Sequence, residues 1–213
     1  KNILITGASK GLGLACAESF YRAGANLFLN GRDEKNLKKL RTKNKKKINY
    51  YIGDLNDKFI FKEFIHEVKK NLKKIDVIIH CMGGGLGLKD ALLKDEDFKI
   101  LYDTNLGIAS QINRLLINRF NKKESYIIHI GSTASIEAIG SVGYNTVKAS
   151  VVAYVKSLAI NLIKKNIFVS GVLPGAFIGK QNSFARLKKR KISAYNEFLN
   201  KKLPRNKIGK PSE

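Results

Sequence analysis

The sequence predicts an α/β fold, a doubly wound parallel sheet with helices on both faces, in three α/β/α layers. Three observations carry this reading. Short apolar runs alternate with longer stretches of helical periodicity along the 213 residues. Those runs are apolar nearly throughout, as in strands covered on both faces. The first run ends in a glycine-rich turn, Thr6-Gly7-Ala8-Ser9-Lys10-Gly11-Leu12-Gly13, directly before the first helical stretch. Strand, glycine turn and helix in that order build a phosphate site. Gly7 permits a tight turn, Gly11 lets backbone approach a pyrophosphate, and Gly13 lets helix and strand pack closely. The helix N-terminus then offers free N–H groups and a positive dipole end to the anion.

The elements follow in order. Ile3–Ile5 is the first strand, and Leu12–Ala23 the first helix, closed by Gly24. Asn26–Asn30 is a strand, and Glu34–Lys45 a basic helix with Leu37 and Leu40 turned inward. Ile48–Ile52 is the third strand, followed by Gly53-Asp54. Phe59–Leu72 places Ile60, Phe64, Ile65 and Val68 at helical spacing. Val77–His80 is the fourth strand and ends before Gly83-Gly84-Gly85. Lys94–Asn118 is helical with an interruption near Asp103–Gly107. Tyr126–Ile130, Tyr144–Lys164 and Ile167–Val172 complete the pattern as strand, helix and strand. Crossovers are expected to be right-handed. No linker or repeat divides the chain, so residues 1–213 are expected to form one domain with a full core. Residues 177–203 are polar, basic and punctuated by Phe184, Leu187, Tyr195, Phe198 and Leu199, which reads as a helical flap over a site. The chain opens on its first strand and stops after Pro204–Glu213, so an excerpt lacking a last helix and strand is expected.

Ligands in such sheets bind beyond the carboxyl ends of the strands. The second strand ends at Gly31-Arg32, where an acid would bind a ribose 2′-hydroxyl. Arg32, with Lys10 in the glycine turn, favours a 2′-phosphate and hence NADP(H); Asp33, one residue further on, weakens that reading. Tyr144 and Lys148 stand at i,i+4 on a predicted helix, phenol and ammonium on one face. A nearby ammonium favours phenolate and so lowers the phenol's pKa, making Tyr144 a general acid toward a carbonyl oxygen. Ser132, at the end of the fifth strand, can hydrogen-bond the same oxygen. Asn105, in the helix interruption, can hold a water relaying protons to Lys148. Gly83 lets backbone approach the cofactor.

These residues resemble the short-chain dehydrogenase/reductase family. The resemblance covers essentially the whole chain, through Thr6–Gly13, Gly53-Asp54-Leu55, Asn105, Gly131-Ser132, Tyr144-x-x-x-Lys148 and Pro174-Gly175. It implies a Rossmann-type fold and, from the glycine spacing, the compact branch of the family. It implies Tyr144 as proton donor, Ser132 as substrate hydrogen-bonder, Lys148 as ribose ligand, and Asn105 in a water relay. Cofactor contacts are implied for Gly7, Ser9, Lys10, Gly11, Leu12, Gly13, Arg32, Asp54 (toward the adenine), Leu55, Gly83, Tyr144, Lys148, Pro174 and Gly175. A homotetramer, or a dimer, through the Asn105–Asn118 and Tyr144–Lys164 helices is likewise implied. The sequence departs from the family at His80-Cys81-Met82-Gly83, where Asn-Asn-Ala-Gly is usual. It departs again at Gly179, where a Thr is usual, and in a Ser132-to-Tyr144 gap one residue short.

The expected function is an NADPH-dependent oxidoreductase reducing a ketone to a secondary alcohol, similar to the 3-oxoacyl-carrier-protein reductases. Alternatives are a reductase acting on a sugar intermediate of surface polysaccharide and a non-catalytic NADP(H)-binding regulator. The net charge of +23, from 40 Lys and Arg against 17 Asp and Glu, admits polyanion binding. Its Lys excess, accompanied by Asn and Ile, also fits an AT-rich coding bias, and no aromatics interleave the densest basic run to stack bases. No specific nucleic-acid partner and no membrane insertion are expected, since no apolar run approaches the ~18 residues of a span. His66 reads as a surface residue, and His80 and His129 as packed in strands. Cys16 and Cys81 lie in apolar stretches without metal-ligand spacing and read as reduced thiols of a cytoplasmic protein; no metal is expected.

Overall fold

The computed structural model describes residues 1–43, 45–179 and 182–213. Six parallel strands form one sheet: β1 (Asn2–Thr6), β2 (Asn26–Gly31), β3 (Ile48–Ile52), β4 (Val77–His80), β5 (Ser125–Ile130) and β6 (Ile167–Val172). Their spatial order is β3-β2-β1-β4-β5-β6. The order reverses between β1 and β4, where Thr6 lies beside His80. A Rossmann-like α/β fold follows, and its crevice opens beyond these two strand ends.

The pleat explains the two cores. Successive side chains of a strand point to opposite faces. Leu4 therefore joins Phe28, Ile78 and Ile127 beneath α3 (Lys58–Asn71), α5 (Ile108–Leu116) and α6 (Val142–Leu162). Ile3 and Ile5 join Leu27, Leu29, Val77 and Ile79 beneath α1 (Gly11–Arg22) and α2 (Glu34–Lys43). Strands that read as unbroken apolar runs are thus covered twice. The expected Glu34–Lys45 helix ends at Lys43, and its residue Asn44 lies outside the described residues.

Helix ends differ in a way that matters for the site. Asp57 caps α3, its carboxylate accepting from the N–H groups of Phe59 and Ile60 at 2.8 and 3.0 Å. The N-cap residue of α1, Lys10, makes no side-chain cap, and no acid occupies the first turn of the helix. The positive end of α1 therefore stays available to an external anion.

The expected interruption at Asp103–Gly107 is a widened helical turn between α4 (Asp95–Tyr102) and α5, rather than a break. There the Ile108 N–H reaches back five residues to the Asp103 carbonyl. Such bulges occur mostly where a side chain is redirected for function.

The region expected to be a flap holds two helices, α7 (Ser183–Arg190) and α8 (Ile192–Lys202), because Lys191 leaves helical geometry at φ −144°. Phe184 packs tilted against Phe198 with ring centroids 4.9 Å apart, and Tyr195 is buried. Residues 180 and 181 of the expected 177–203 flap lie outside the described residues. Gly209 pairs with Phe177, and Ile178 N–H donates to the Gly209 carbonyl at 2.9 Å, tying the two ends of the excursion together.

One helix bears on the expected absence of a membrane span. With the turn that follows it, α6 forms a helix over Val142–Lys165 whose length and composition meet those of a membrane span, at mean hydropathy 1.3. Scattered lysines hide this from a search for an unbroken apolar run. The helix packs on β6 and carries Tyr144 and Lys148 to the crevice, which gives it a place within the fold.

Candidate active site

The crevice is built on glycines. Gly7 has φ +64°, and a Cβ there would lie 2.8 Å from the Met82 nitrogen and 2.9 Å from the Cys81 carbonyl carbon. The turn therefore rests directly on the chain leaving β4. Gly11, at φ +54°, has open space over its Cα. An open glycine beside an uncapped helix N-terminus fits a pyrophosphate. Gly13 seals the helix onto the turn, since its Cβ would lie 2.3 Å from the Gly7 carbonyl oxygen.

At the end of β2, the side chain of Ser9 fills the space a Cβ of Gly31 would need, at 2.6 Å. Ser9 is buried, so its implied cofactor role rests on its backbone. The absence of an acid at position 31 is thus enforced by packing. Arg32 and Lys10 both reach this rim, but each faces a carboxylate. Arg32 Nη1 lies 3.0 Å from Asp54 Oδ2, and Lys10 Nζ lies 3.3 Å from Asp33 Oδ2. Burial works against ionisation of Asp54, yet hydrogen bonds from Asn56 and the Arg32 ion pair hold its carboxyl below the usual range. Asp33, read from sequence as a mild complication, is a direct partner of Lys10. The side chain of Leu55 belongs to the core, at 2% exposure.

The second half of the site lies beyond β4 and β5. Gly83 is its meeting point, because a Cβ there would stand 2.7 Å from Asn105 Oδ1 and 3.1 Å from Lys148 Nζ. The Asn105 amide is committed to structure. Its nitrogen donates to the Leu101 and Gly84 carbonyls at 2.8 and 3.0 Å, and its oxygen accepts from Gly84 N–H at 3.0 Å. Both donors are used, which leaves one oxygen lone pair for a water. The widened turn is what swings this amide onto the Gly84 backbone.

Lys148 is 3% exposed, and its Nζ donates to the Ile130 carbonyl at 3.0 Å. Burial lowers its pKa to about 8. Nζ lies 5.8 Å from the centroid of the Tyr144 ring. Tyr144 itself corrects the sequence reading. Burial raises its pKa, a hydrogen bond from the Ser132 hydroxyl opposes this, and the ammonium is not among the causes. The reason is physical: an ammonium whose own charge is disfavoured by burial, and which is aimed at a carbonyl, stabilises a phenolate little. Ser132 also accepts from Ala134 N–H at 3.2 Å, which orients its hydroxyl at the end of β5.

Pro174 accepts from Thr133 N–H at 3.2 Å, joining the β6 exit to the Ser132 turn, and Gly175 has open space over its Cα. Gly179 brings the flap's root to the glycine turn, where its Cβ would lie 3.8 Å from the Gly11 Cα. Leu12 is half-buried in the first turn of α1.

The histidines were read as packed, and His66 is exposed as expected. What sequence reasoning missed is their company. The His80 and His129 rings stack at 4.6 Å, both are hydrogen-bonded by Asn113, and Tyr154 closes on His129 edge-on at 5.4 Å. Burial lowers the His80 pKa to about 4 and that of His129 to about 2, so both are neutral at pH 7. No periodicity marks Asn113 or Tyr154 as partners, since only the β4–β5 register brings the two rings together.

Comparison with known proteins agrees with this geometry. The profile of the short chain dehydrogenase family matches residues 1–188. The chain is 32% identical over 177 residues to the 3-oxoacyl-[acyl-carrier-protein] reductase FabG of Rickettsia typhi, covering 82% of this chain and 72% of that protein. It is 30% identical to the 7alpha-hydroxysteroid dehydrogenase of Paraclostridium sordellii, covering 100% of this chain and 81% of the other. The L-sorbose reductase of Gluconobacter frateurii, solved with NADPH and L-sorbose, superposes with a TM-score of 0.87 at 23% identity, over 100% of this chain and 85% of that one.

Proposed function

The chain belongs to the short-chain dehydrogenase family of oxidoreductases acting on CH–OH and C=O groups, and from that premise we propose that it reduces a ketone to a secondary alcohol with NADPH. The observation that carries this reading is Lys148 and Asn105 meeting at Gly83, with Tyr144, hydrogen-bonded by Ser132, against Gly85, beside an open glycine turn. The dinucleotide, when bound, supplies the hydride. Gly11 and the first turn of α1 hold its pyrophosphate, and the Gly83-Gly84 backbone, fixed by Asn105, forms the floor beside it. The Ser132 hydroxyl orients the substrate oxygen. Tyr144, kept protonated by burial, donates its proton there as charge develops. Lys148 binds the ribose and re-protonates the phenol through solvent. The flap of α7 and α8, rooted at the glycine turn, covers the substrate.

The preference for NADPH is a contest of weak pairs. The Arg32–Asp54 and Lys10–Asp33 pairs are largely exposed, and such pairs contribute about 0–1 kcal/mol each. A dianionic 2′-phosphate offers both cations a stronger partner, and Gly31 cannot carry the acid that would favour NADH. The named relatives and the charge of +23 support a 3-oxoacyl thioester on an acidic carrier as substrate. Loss of NADPH absorbance with 3-oxoacyl thioesters and simple ketones tests the activity. The dissociation constant is expected to be about tenfold lower for NADPH than for NADH, and Arg32→Ala to bring the two to parity, a change of about 1.4 kcal/mol. No turnover with any ketone, or tighter binding of NADH, would sink the reading.

We also propose a cytoplasmic homo-oligomer. Ile160 and Val142 of α6 and Ile100 and Tyr102 of α4 leave apolar surface exposed. Light scattering is expected to give the mass of a dimer or tetramer; a monomeric mass at micromolar concentration overturns this.

A further inference from the structure

A parallel sheet sorts its connections by direction. Every segment that enters a strand lies at one end of the sheet, and every segment that leaves one lies at the other, with the crevice. The two ends differ in charge. Among the described residues, the segments that enter the six strands carry eleven basic residues and two acids, Asp76 and Glu124. The segments that leave them carry four basic residues and five acids, and two of those acids hold Arg32 and Lys10. A coding bias toward lysine would raise both ends alike, so it does not account for this division.

The basic end also repeats. Lys73-Lys74, Lys122-Lys123 and Lys164-Lys165 stand four and three residues before Val77, Tyr126 and Phe168 respectively. Those three residues are partners in the register of β4, β5 and β6. Three lysine pairs are thus aligned ahead of three neighbouring strands, which lie about 4.8 Å apart. All six lysines are exposed. Lys1 before β1 and Lys45–Lys47 before β3 carry the row to the far edge of the sheet, a width of about 24 Å. The two acids are engaged at the sheet. Asp76 accepts from the Asn2 N–H at 2.6 Å and from the Asn121 amide at 3.2 Å, and Glu124 accepts from the Tyr126 hydroxyl.

We propose that this end of the protein docks on an acidic lipid surface, by electrostatic contact with the headgroups and without spanning the bilayer. Charge of this density calls for a polyanion. Two observations favour lipid over nucleic acid. Ile163 and Phe168 stand exposed beside Lys164-Lys165, at 46% and 41%. Such side chains gain from a lipid interface and gain nothing from a phosphodiester backbone. Tyr126 and Phe168 stack on each other at 5.5 Å, so they offer no separate platforms to successive bases. Docked this way, the strands run away from the surface and the crevice faces solvent. Attachment therefore does not depend on what the crevice binds.

The test is sedimentation of the whole chain with vesicles of phosphatidylcholine, alone or with about a third phosphatidylglycerol. Binding is expected only to the anionic vesicles, and is expected to fall about tenfold or more between about 0.1 M and about 0.5 M salt. Near such a surface each lysine contributes about fivefold. Lys122→Gln, Lys123→Gln, Lys164→Gln and Lys165→Gln together are expected to weaken binding about 100-fold or more, with the melting temperature unchanged. Lys73→Gln with Lys74→Gln, ahead of another strand, is expected to cost about 25-fold on its own. Four charges removed from the flap instead, by Lys188→Gln, Lys189→Gln, Arg190→Gln and Lys191→Gln, are expected to cost less than about fivefold. No binding to anionic vesicles, equal binding to neutral ones, or an equal loss in the flap variant overturns the proposal. Duplex DNA or RNA bound more tightly than the vesicles, through the same lysine pairs, would make the occupant a nucleic acid and overturn the lipid.

Discussion

Tyr144→Phe is expected to lower ketone turnover about 10³-fold, within the 10²–10⁴ span of a lost general acid. The dissociation constant of NADPH is expected to stay within about twofold, a change well under 1 kcal/mol. The substitution removes one oxygen from a half-buried ring and leaves the ring's packing against Gly85 intact, where the nearest approach of a Gly85 Cβ would be 3.8 Å. Burial raises the phenol's pKa, so the proton is in place at neutral pH and the reduction direction is served without prior protonation. A non-catalytic NADP(H)-binding regulator would have no use for this oxygen. Stopped-flow turnover beside fluorescence titration separates the two: a variant with wild-type turnover would remove Tyr144 from the chemistry.

Lys148→Met is expected to abolish turnover and at the same time to stabilise the fold by about 1–2 kcal/mol at pH 7. Its ammonium is buried, and a pKa drawn down from 10.5 to about 8 corresponds to a cost on the order of 3 kcal/mol. Losing the side chain's hydrogen bond to the Ile130 carbonyl returns about 1 kcal/mol of that. For a chain of this size, the remainder is a rise of roughly 2–8 °C in melting temperature. The pH dependence has a definite sign. Below pH 8 the lysine is charged in both states and the burial cost is present in full. Between about pH 8 and 10.5 the unfolded chain binds the extra proton, so wild-type stability rises with pH and the gap to the variant closes. Thermal melts at pH 7 and 9.5 check this. A variant less stable than wild type at pH 7 would show that Lys148 supports the fold.

Much of the site was legible because strand ends announce themselves. Apolar runs terminating in Gly7, Gly31, Gly83 and Ser132 marked the crevice rim, and i,i+4 spacing placed Tyr144 and Lys148 on one helical face. The widened turn was readable only as an interruption. What it serves, the bond of the Asn105 amide to Gly84, joins residues 21 apart in sequence. The same limit hid Asp33 and Asp54 as partners of Lys10 and Arg32. A charge near another in sequence does not state which partner it will choose on an exposed rim. The stacked histidines and Asn113 lie on three different elements, and nothing local couples them.

What the sequence by itself determined was periodic and local: the strand and helix order, two covered sheet faces, the phosphate turn, and the identity of the groups that carry chemistry. Hydrophobic period and glycine position act within a few residues, so they survive in one dimension. Only the tertiary structure decided how those groups behave. Burial, rather than the neighbouring ammonium, governs the Tyr144 phenol. Packing against Ser9 governs Gly31, and the β4–β5 register brings His80 onto His129. Dielectric environment and side-chain contact are properties of the surrounding volume, and the chain acquires a volume only when it folds.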